Sequence, residues 1–145
     1  MPDVVRTEFE VRWGECDPAG IVYHPAYLDW FSVARMHFLQ ENGISYMKEF
    51  HDRGIVVVVL EAQCQYRKPL RAEDRVWVEA WWRHLSRTRF GFQYRVINAA
   101  GEVCTTGRTE HAFIDLHGKP LNLAKRDPDL WRRVQQIPVR GEWNS

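Results

Sequence analysis

The sequence has few cysteines, no long apolar run and almost no net charge. Its three cysteines, Cys16, Cys64 and Cys104, lie far apart, which argues against both a disulfide framework and a zinc site built on close cysteine pairs. We therefore expect a reduced, cytoplasmic setting. No apolar stretch approaches the roughly 20 residues that cross a bilayer, so we expect no membrane insertion. Residues 1–11 also lack the basic and apolar regions of a signal peptide.

The charge and composition narrow the class of protein. A formal net charge of +1 argues against a dedicated nucleic-acid binder, which normally carries a strong basic excess. Hydrophobic residues make up 45% of the chain and charged residues 27%, as in globular domains. Seven Trp, seven Phe and five Tyr supply many rings for pockets or subunit contacts. We predict a single domain over residues 1–145.

Two catalytic patterns are also missing. No Gly-x-Ser-x-Gly elbow occurs, which excludes the serine-based route of α/β-hydrolases. The histidines show no metal-ligand spacing, so we predict no metal site. Cys16 adjoins an acid and has His24 nearby, but a small buried thiol is the commoner role for such a residue.

One long helix is indicated in the first third of the chain. Apolar residues recur at helical spacing, and they form one stripe: Tyr27, Phe31, Ala34 and Phe38. Pro25 suits the first turn of this helix, where its missing N–H leaves no intrahelical bond unmade. Asn42-Gly43 is a favourable C-terminal cap.

Strand patterns surround this helix. Residues 4–13 alternate in polarity, and so do four segments between residues 55 and 116, separated by turns at 68–74, 87–89 and 98–101. Residues 44–52 fit a short helix or a structured loop, and residues 127–136 fit a short helix. The order predicts an α+β domain in which one helix packs against an antiparallel sheet of about five strands.

An acid and a histidine lie just before the predicted helix. Asp17 and His24 would therefore sit near free backbone N–H groups that can receive negative charge. The alternative for Asp17 is a turn residue, since Asp before Pro is a routine turn signal. The alternative for His24 is capping or packing.

The segment from Gly14 to Tyr27, with Arg35 further along the helix, resembles the 4-hydroxybenzoyl-CoA thioesterase family. The signature Asp-x-x-Gly-x-x-x-(Tyr/His) is matched by Asp17, Gly20 and His24. The resemblance covers essentially the whole chain. It implies a hotdog fold, in which a curved antiparallel sheet wraps a long central helix. It also implies homodimers or homotetramers with active sites at subunit interfaces, and hydrolysis of acyl-CoA thioesters without metal or cofactor.

The resemblance also implies roles for individual residues. Asp17 would act as nucleophile or general base, with His24 in support, and the backbone N–H groups around Tyr23 and His24 would polarise the thioester carbonyl. Family members that act on hydroxylated aromatic acyl groups carry an acid along the helix, at the place that Ser32 takes here. A 4-hydroxybenzoyl substrate is therefore not indicated, and aromatic or short-to-medium-chain acyl groups both remain open.

Substrate binding is expected at two places. The acyl pocket would be lined by Tyr27, Trp30 and Phe31, although core packing explains these rings equally well. Arg87 and Arg89 crowd a bend between two strands, where guanidinium forks could bind coenzyme A phosphates. A solvated basic edge of the sheet is the alternative for these arginines.

Two other functions fit the same fold. A non-catalytic acyl-CoA-binding hotdog protein would act as a sensor or carrier, and such a regulator would usually need a partner or DNA-binding module. A hotdog dehydratase or hydratase would need a His/Asp or His/Glu signature, which the sequence does not show. Thioester hydrolysis at Asp17 is the preferred prediction.

Overall fold

The computed structural model describes residues 2–142 and contains one antiparallel sheet. Its five strands are β1 (Val5–Glu10), β2 (Val56–Tyr66), β3 (Arg75–Leu85), β4 (Arg89–Asn98) and β5 (Val103–Ile114). Their order across the sheet is β1-β3-β4-β5-β2. The two strands that precede the β3–β4–β5 meander therefore form the two edges. The first strand ends before the predicted residue 13, because Trp13–Glu15 turns into a 3-10 helix.

Within the described residues, four α-helices accompany the sheet: α1 (His24–Glu41), α2 (Tyr46–Glu49), α3 (Leu123–Arg126) and α4 (Pro128–Gln135). Helix α1 has Pro25 in its first turn and ends at Asn42, before Gly43 at φ 74°. Its predicted apolar stripe is buried, and each of the four side chains is at most 3% exposed. None of these helices, over residues 2–142, is long and apolar enough to cross a membrane.

Helix α1 packs on the sheet through aromatic rings. Phe31 stacks on Tyr94 of β4 with ring centroids 4.1 Å apart, and Phe38 meets Trp82 of β3 edge-on at 5.1 Å. Gly107 of β5 lies directly under Phe31, so closely that an added Cβ would come within 2.5 Å of the ring. Only a glycine allows the helix to approach the sheet at this point.

Strand β2 is an edge strand with apolar residues in solvent. It pairs with β5, and the register shifts between Val59 and Glu61. Val59 and Leu60, at this irregularity, are 55% and 50% exposed. Within the described residues no strand pairs with the other side of β2. A long edge strand of this kind is open to pairing with another chain.

Candidate active site

Asp17 lies in a short loop whose backbone closes on itself. Cys16 and Val22 form an isolated antiparallel bridge at the base of the loop. Inside it, the Asp17 N–H donates to the carbonyl oxygen of Ile21, and the Gly20 N–H donates to that of Asp17, both at 2.9 Å. Gly20 has φ 82°, a conformation that favours glycine. These bonds fix the position of the Asp17 backbone.

The Asp17 carboxylate is held by one of its two oxygens. Oδ1 accepts the N–H of Ala19 at 2.8 Å and, at the longer distance of 3.5 Å, that of Ile21. Oδ2 accepts no hydrogen bond from any described residue. The turn role expected from the Asp-Pro pair is thus present, yet it leaves one oxygen of the carboxylate available.

Two neighbours hold this loop in place. The N–H of Val22 donates to the carbonyl oxygen of Leu70 at 2.8 Å, and Ile21 forms a bridge with Arg71. On the other side, the N–H of Tyr23 donates to the carbonyl oxygen of Glu15 at 2.7 Å. The loop is therefore tied both to the turn between β2 and β3 and to the 3-10 helix.

Glu15 is a positioning residue that the sequence reasoning missed. Its carboxylate accepts the backbone N–H of Arg12 at 2.8 Å and the indole N–H of Trp30 at 2.7 Å. Partial burial alone would raise the pKa of Glu15, but these hydrogen bonds and the Arg12 guanidinium outweigh it, so the pKa is lowered. The Arg-x-x-Glu spacing around the 3-10 helix was the sequence pattern that could have indicated this role of Glu15. Glu15 thus links the loop to helix α1 as a charged group.

The start of helix α1 offers one free backbone donor where two were predicted. The Tyr23 N–H is committed to Glu15, which corrects the expectation that it polarises a carbonyl. Pro25 has no N–H, and the Ala26 N–H bonds to Tyr23. Over residues 2–142 the His24 N–H has no backbone acceptor, so it is the donor that remains. The rings of Tyr23 and His24 are exposed and meet edge-on at 4.6 Å.

An apolar cavity of about 240 Å³ opens between α1 and the sheet, in the second half of the helix. Its wall is mostly aromatic and aliphatic, with polar groups from Ser32, Arg35 and His111. Ser32 is exposed and lies on the wall of this cavity, and its role in substrate binding stays a prediction. Tyr27, Trp30 and Phe31 do not line it, because all three are buried in the core at 3% exposure or less.

A chain of hydrogen bonds joins two residues of the cavity wall, Arg35 and His111, through two residues behind it. The Arg35 guanidinium donates to the Tyr94 hydroxyl at 3.0 Å, which lies 2.6 Å from the Thr109 hydroxyl. Thr109 Oγ1 lies 2.8 Å from His111 Nε2. Burial raises the pKa of Tyr94 to about 12, so its hydroxyl keeps its proton at neutral pH. The sequence reasoning missed this relay, although Thr109 and His111 are buried and alternate with half-buried residues on one strand.

Four basic side chains lie at the bend between β3 and β4, and they differ in whether they contact acidic groups. Arg83 forms ion pairs with Glu110 and Glu142, and His84 Nε2 contacts the other oxygen of the Glu110 carboxylate. Arg87 and Arg89 are exposed, and in the described part of the chain neither forms an ion pair. Arg87 lines an open cleft beside α4, together with Trp131 and Gln135. Of the four basic residues, these two are free to meet an anionic ligand.

No group of three or more histidine, cysteine, aspartate or glutamate side chains converges within residues 2–142 in a way that could hold a metal ion. The three cysteines are free thiols, and Cys104 is buried. Cys16 is half-buried, and its Sγ lies 3.7 Å from the Arg12 carbonyl oxygen. The Asp17 loop therefore carries a carboxylate, backbone groups and one thiol, whose sulfur contacts the Arg12 carbonyl.

Comparisons with known proteins point to one family. Residues 11–138 match the family model of the thioesterase-like superfamily. The Bacillus subtilis protein YneP, named as a candidate acyl-CoA thioesterase, is 31% identical over 87% of this chain and 91% of its own. A 1,4-dihydroxy-2-naphthoyl-CoA hydrolase of Thermosynechococcus vestitus is 29% identical over 73% of each chain. The structure of a DHNA-CoA thioesterase from Staphylococcus aureus superposes with a TM-score of 0.88 at 32% identity, covering 92% of this chain and 90% of that one.

Proposed function

The chain belongs to the thioesterase-like superfamily and is a hotdog-fold acyl-CoA thioesterase, and on this premise we propose that it cleaves aromatic acyl-CoA thioesters at Asp17. The observation that carries the proposal is the loop that holds Asp17 by Oδ1 and leaves Oδ2 available beside the start of α1. The aromatic wall of the 240 Å³ cavity favours a ring-bearing acyl group over a short aliphatic one. Two of the relatives are also named for an aromatic acyl-CoA.

The chemistry needs a nucleophile and a site for the developing oxyanion. Oδ2 of Asp17 attacks the thioester carbon, or it takes a proton from the water that attacks. In the first course a mixed anhydride forms, coenzyme A leaves as a thiolate, and water then hydrolyses the anhydride. In the second course, water adds directly and the tetrahedral intermediate expels the thiolate. Both courses yield the free acid and coenzyme A.

The His24 N–H is the proposed donor to the oxyanion. It lies at the N-terminal end of an 18-residue helix, where partial positive charge accumulates. One such donor typically contributes about 2.7–4 kcal/mol to transition-state stabilisation. The exposed rings of Tyr23 and His24 flank this position and limit how the thioester approaches. His24 supports catalysis mainly through its backbone in this proposal.

We also propose that the active enzyme is a homodimer, with the loop of one subunit serving the cavity of the other. Ser32 is nine residues after Tyr23, which at 1.5 Å per residue is about 13 Å along the helix axis. A single aromatic acyl group is shorter than this, so it cannot span from loop to cavity within one subunit. The exposed edge at Val59 and Leu60 is where a second chain would pair. Pairing of dimers into a homotetramer would use other surfaces.

Replacing Leu60 with lysine is expected to convert the dimer to a monomer and to lower kcat/KM at least tenfold. A charge on the edge strand opposes pairing with a second chain, and separated subunits would lack a complete site. Sedimentation equilibrium gives the mass, and hydrolysis of benzoyl-CoA gives the rate. Met47→Lys places the same charge on another exposed apolar residue and should change neither. A dimer that persists in Leu60→Lys, with full activity, contradicts this assembly.

Arg87 and Arg89 are proposed to bind the phosphates of coenzyme A, because both are exposed and unpaired among the described residues. The double variant Arg87→Ala/Arg89→Ala is expected to raise KM for acyl-CoA about tenfold or more, with little change in kcat, and the effect should weaken at high salt. Arg6→Ala/Arg75→Ala removes the same charge from β1 and from the start of β3, where both arginines form ion pairs with glutamates, and serves as the control. An unchanged KM in the first variant would remove this assignment.

We place the enzyme in the cytoplasm as a single domain, which suits its free, widely spaced thiols. A non-catalytic sensor or carrier would bind acyl-CoA without cleaving it. A panel of aryl and aliphatic acyl-CoAs, followed by release of free thiol, separates these two functions directly.

A further inference from the structure

An open cleft of about 640 Å³ lies between helix α4 and the bend that joins β3 to β4. Trp131 and Gln135 line it from α4, and Leu85, Arg87 and Thr88 line it from the bend. Among the described residues that line the cleft, none is acidic. Its volume lies within the range of small-molecule binding sites, and its composition suits a ligand that is both aromatic and anionic.

Both sides of the cleft are anchored to the rest of the fold. The N–H of Leu123, at the start of α3, donates to the carbonyl oxygen of Arg87 at 2.7 Å. Leu130 and Val134 bury one face of α4 in the core, at 0% and 2% exposure. Trp131, next to Leu130, is only half-buried, so part of its ring stays accessible in the cleft. The ring and the bend are therefore held in place before any ligand binds.

The side chains of the cleft match the parts of an adenine nucleotide. Gln135 is four residues after Trp131, so both lie on one face of α4. Arg87 is exposed and forms no ion pair in the described part of the chain. An accessible indole is a platform on which a nucleobase stacks, and a guanidinium fork fits phosphate oxygens. The primary amide of glutamine can pair with the N6 and N7 edge of adenine.

We propose that this cleft binds the adenosine part of coenzyme A, with the adenine ring stacked on Trp131. The inference rests on the proposed function, since it takes acyl-CoA as the substrate and Arg87 as a ligand of its phosphates. Leu85 lines both the cleft and the apolar cavity, so the two sites adjoin and one acyl-CoA molecule can occupy both. The enzyme then prefers acyl-CoA to the same acyl group on a carrier without adenine.

Two thioesters that differ only in the nucleotide test this subsite. Benzoyl-CoA carries the adenosine part, and S-benzoylpantetheine has the same thioester and pantetheine arm without it. Trp131→Leu is expected to raise KM for benzoyl-CoA at least about fivefold with little change in kcat, because stacking stabilises the bound substrate and the transition state equally. The kcat/KM for S-benzoylpantetheine should stay at the wild-type value. Unlike the effect of Arg87→Ala/Arg89→Ala, this increase in KM should persist at high salt.

Two other tryptophan variants separate stacking from a merely structural role. Trp131→Tyr keeps an aromatic ring and should restore most of the affinity for benzoyl-CoA. Trp77→Leu makes the same substitution at a half-buried tryptophan of β3 and should change neither thioester's kinetics. If Trp131→Leu impairs both thioesters alike, or neither of them, the adenosine subsite is wrong while the thioesterase function stands.

Binding measurements cover the cases in which the kinetic comparison fails. If neither thioester is cleaved, calorimetry with free coenzyme A is expected to give a Kd at least about fivefold higher in Trp131→Leu than in wild type, and equal values overturn the proposal. If Trp131→Leu does not fold, adenosine 3′,5′-bisphosphate is added to the wild-type protein. The NMR signal of the Trp131 indole N–H should then shift, and a signal that is unchanged at high nucleotide concentration overturns the proposal.

Discussion

Replacing Asp17 with asparagine is expected to lower kcat/KM for acyl-CoA hydrolysis by about 10²–10⁴-fold, the range for loss of a general acid–base group. Asparagine retains an oxygen in the place of Oδ1, so the hydrogen bonds from Ala19 and Ile21 can persist. It lacks the charge and basicity that Oδ2 supplies. The fold and the melting temperature should therefore stay close to wild type while the chemistry is lost. The rate is followed by release of coenzyme A thiol.

Two further variants, one at Asp17 and one at another acid, serve as comparisons for Asp17→Asn. Asp17→Ala removes the turn acceptor as well, so it should lose both activity and some stability, unlike the asparagine variant. Asp52→Asn, at an exposed acid in the short 3-10 helix His51–Arg53, should retain full activity. Single-turnover hydrolysis in H₂¹⁸O then tests the anhydride route, because label enters the Asp17 side chain only when water attacks the Asp17 carbonyl of a mixed anhydride. Attack at the substrate acyl carbon labels the product acid in both courses. An active Asp17→Asn enzyme would remove Asp17 from the chemistry.

Gly107→Ala is expected to destabilise the protein by about 1–3 kcal/mol, as overpacking of a filled core typically does. The added methyl group would lie 2.5 Å from the Phe31 ring and 3.0 Å from the backbone oxygen of Gln63. Phe31 cannot easily move away, because it is fully buried and stacked on Tyr94. Urea unfolding followed by tryptophan fluorescence gives the change in the free energy of unfolding.

A second substitution tests whether the contact with Phe31 causes the loss of stability in Gly107→Ala. In a Phe31→Leu background, the ring edge that meets the new methyl group is gone, so Gly107→Ala should destabilise less than it does in wild type. Gly14→Ala is the matched control, since nothing lies within 4 Å of its added Cβ and its φ is not in the left-handed region. Strict additivity of Gly107→Ala and Phe31→Leu would mean that the helix–sheet distance is not set by this contact.

The sequence was informative where local patterns determine structure. The stripe from Tyr27 to Phe38 identified α1 and its buried face, because helical periodicity follows from the burial that it produces. The family signature pointed to Asp17, whose catalytic role stays a prediction. Periodicity could not show that the cavity begins at Ser32, on the margin of the buried stripe, because a void depends on how the facing strands fill the space around it.

Contacts between residues far apart in the sequence explain the other differences between the sequence-based predictions and the structure. Tyr23 gives its N–H to the carbonyl of Glu15, and nothing in the residue types requires a loop of this shape. The relay joins Arg35 on α1 with Tyr94 on β4 and His111 on β5, residues that meet only after the sheet has formed. The 3-10 helix at Trp13–Glu15 likewise ends the first strand early, where alternation alone would continue it.

The loop that holds Asp17 is attached to the turn at Leu70, and this attachment bears on which substitutions can alter substrate preference without moving the acid. The position of Asp17 depends on backbone bonds to residues 15, 21 and 70, none of which lines the cavity. If the cavity is the acyl pocket, as we propose, the acyl preference depends on side chains in the second half of α1 and on the inner face of the sheet. Reaction and recognition are therefore separately adjustable: substitutions around Ser32, Arg35 and His111 could redirect the enzyme to new acyl groups while the acid keeps its place.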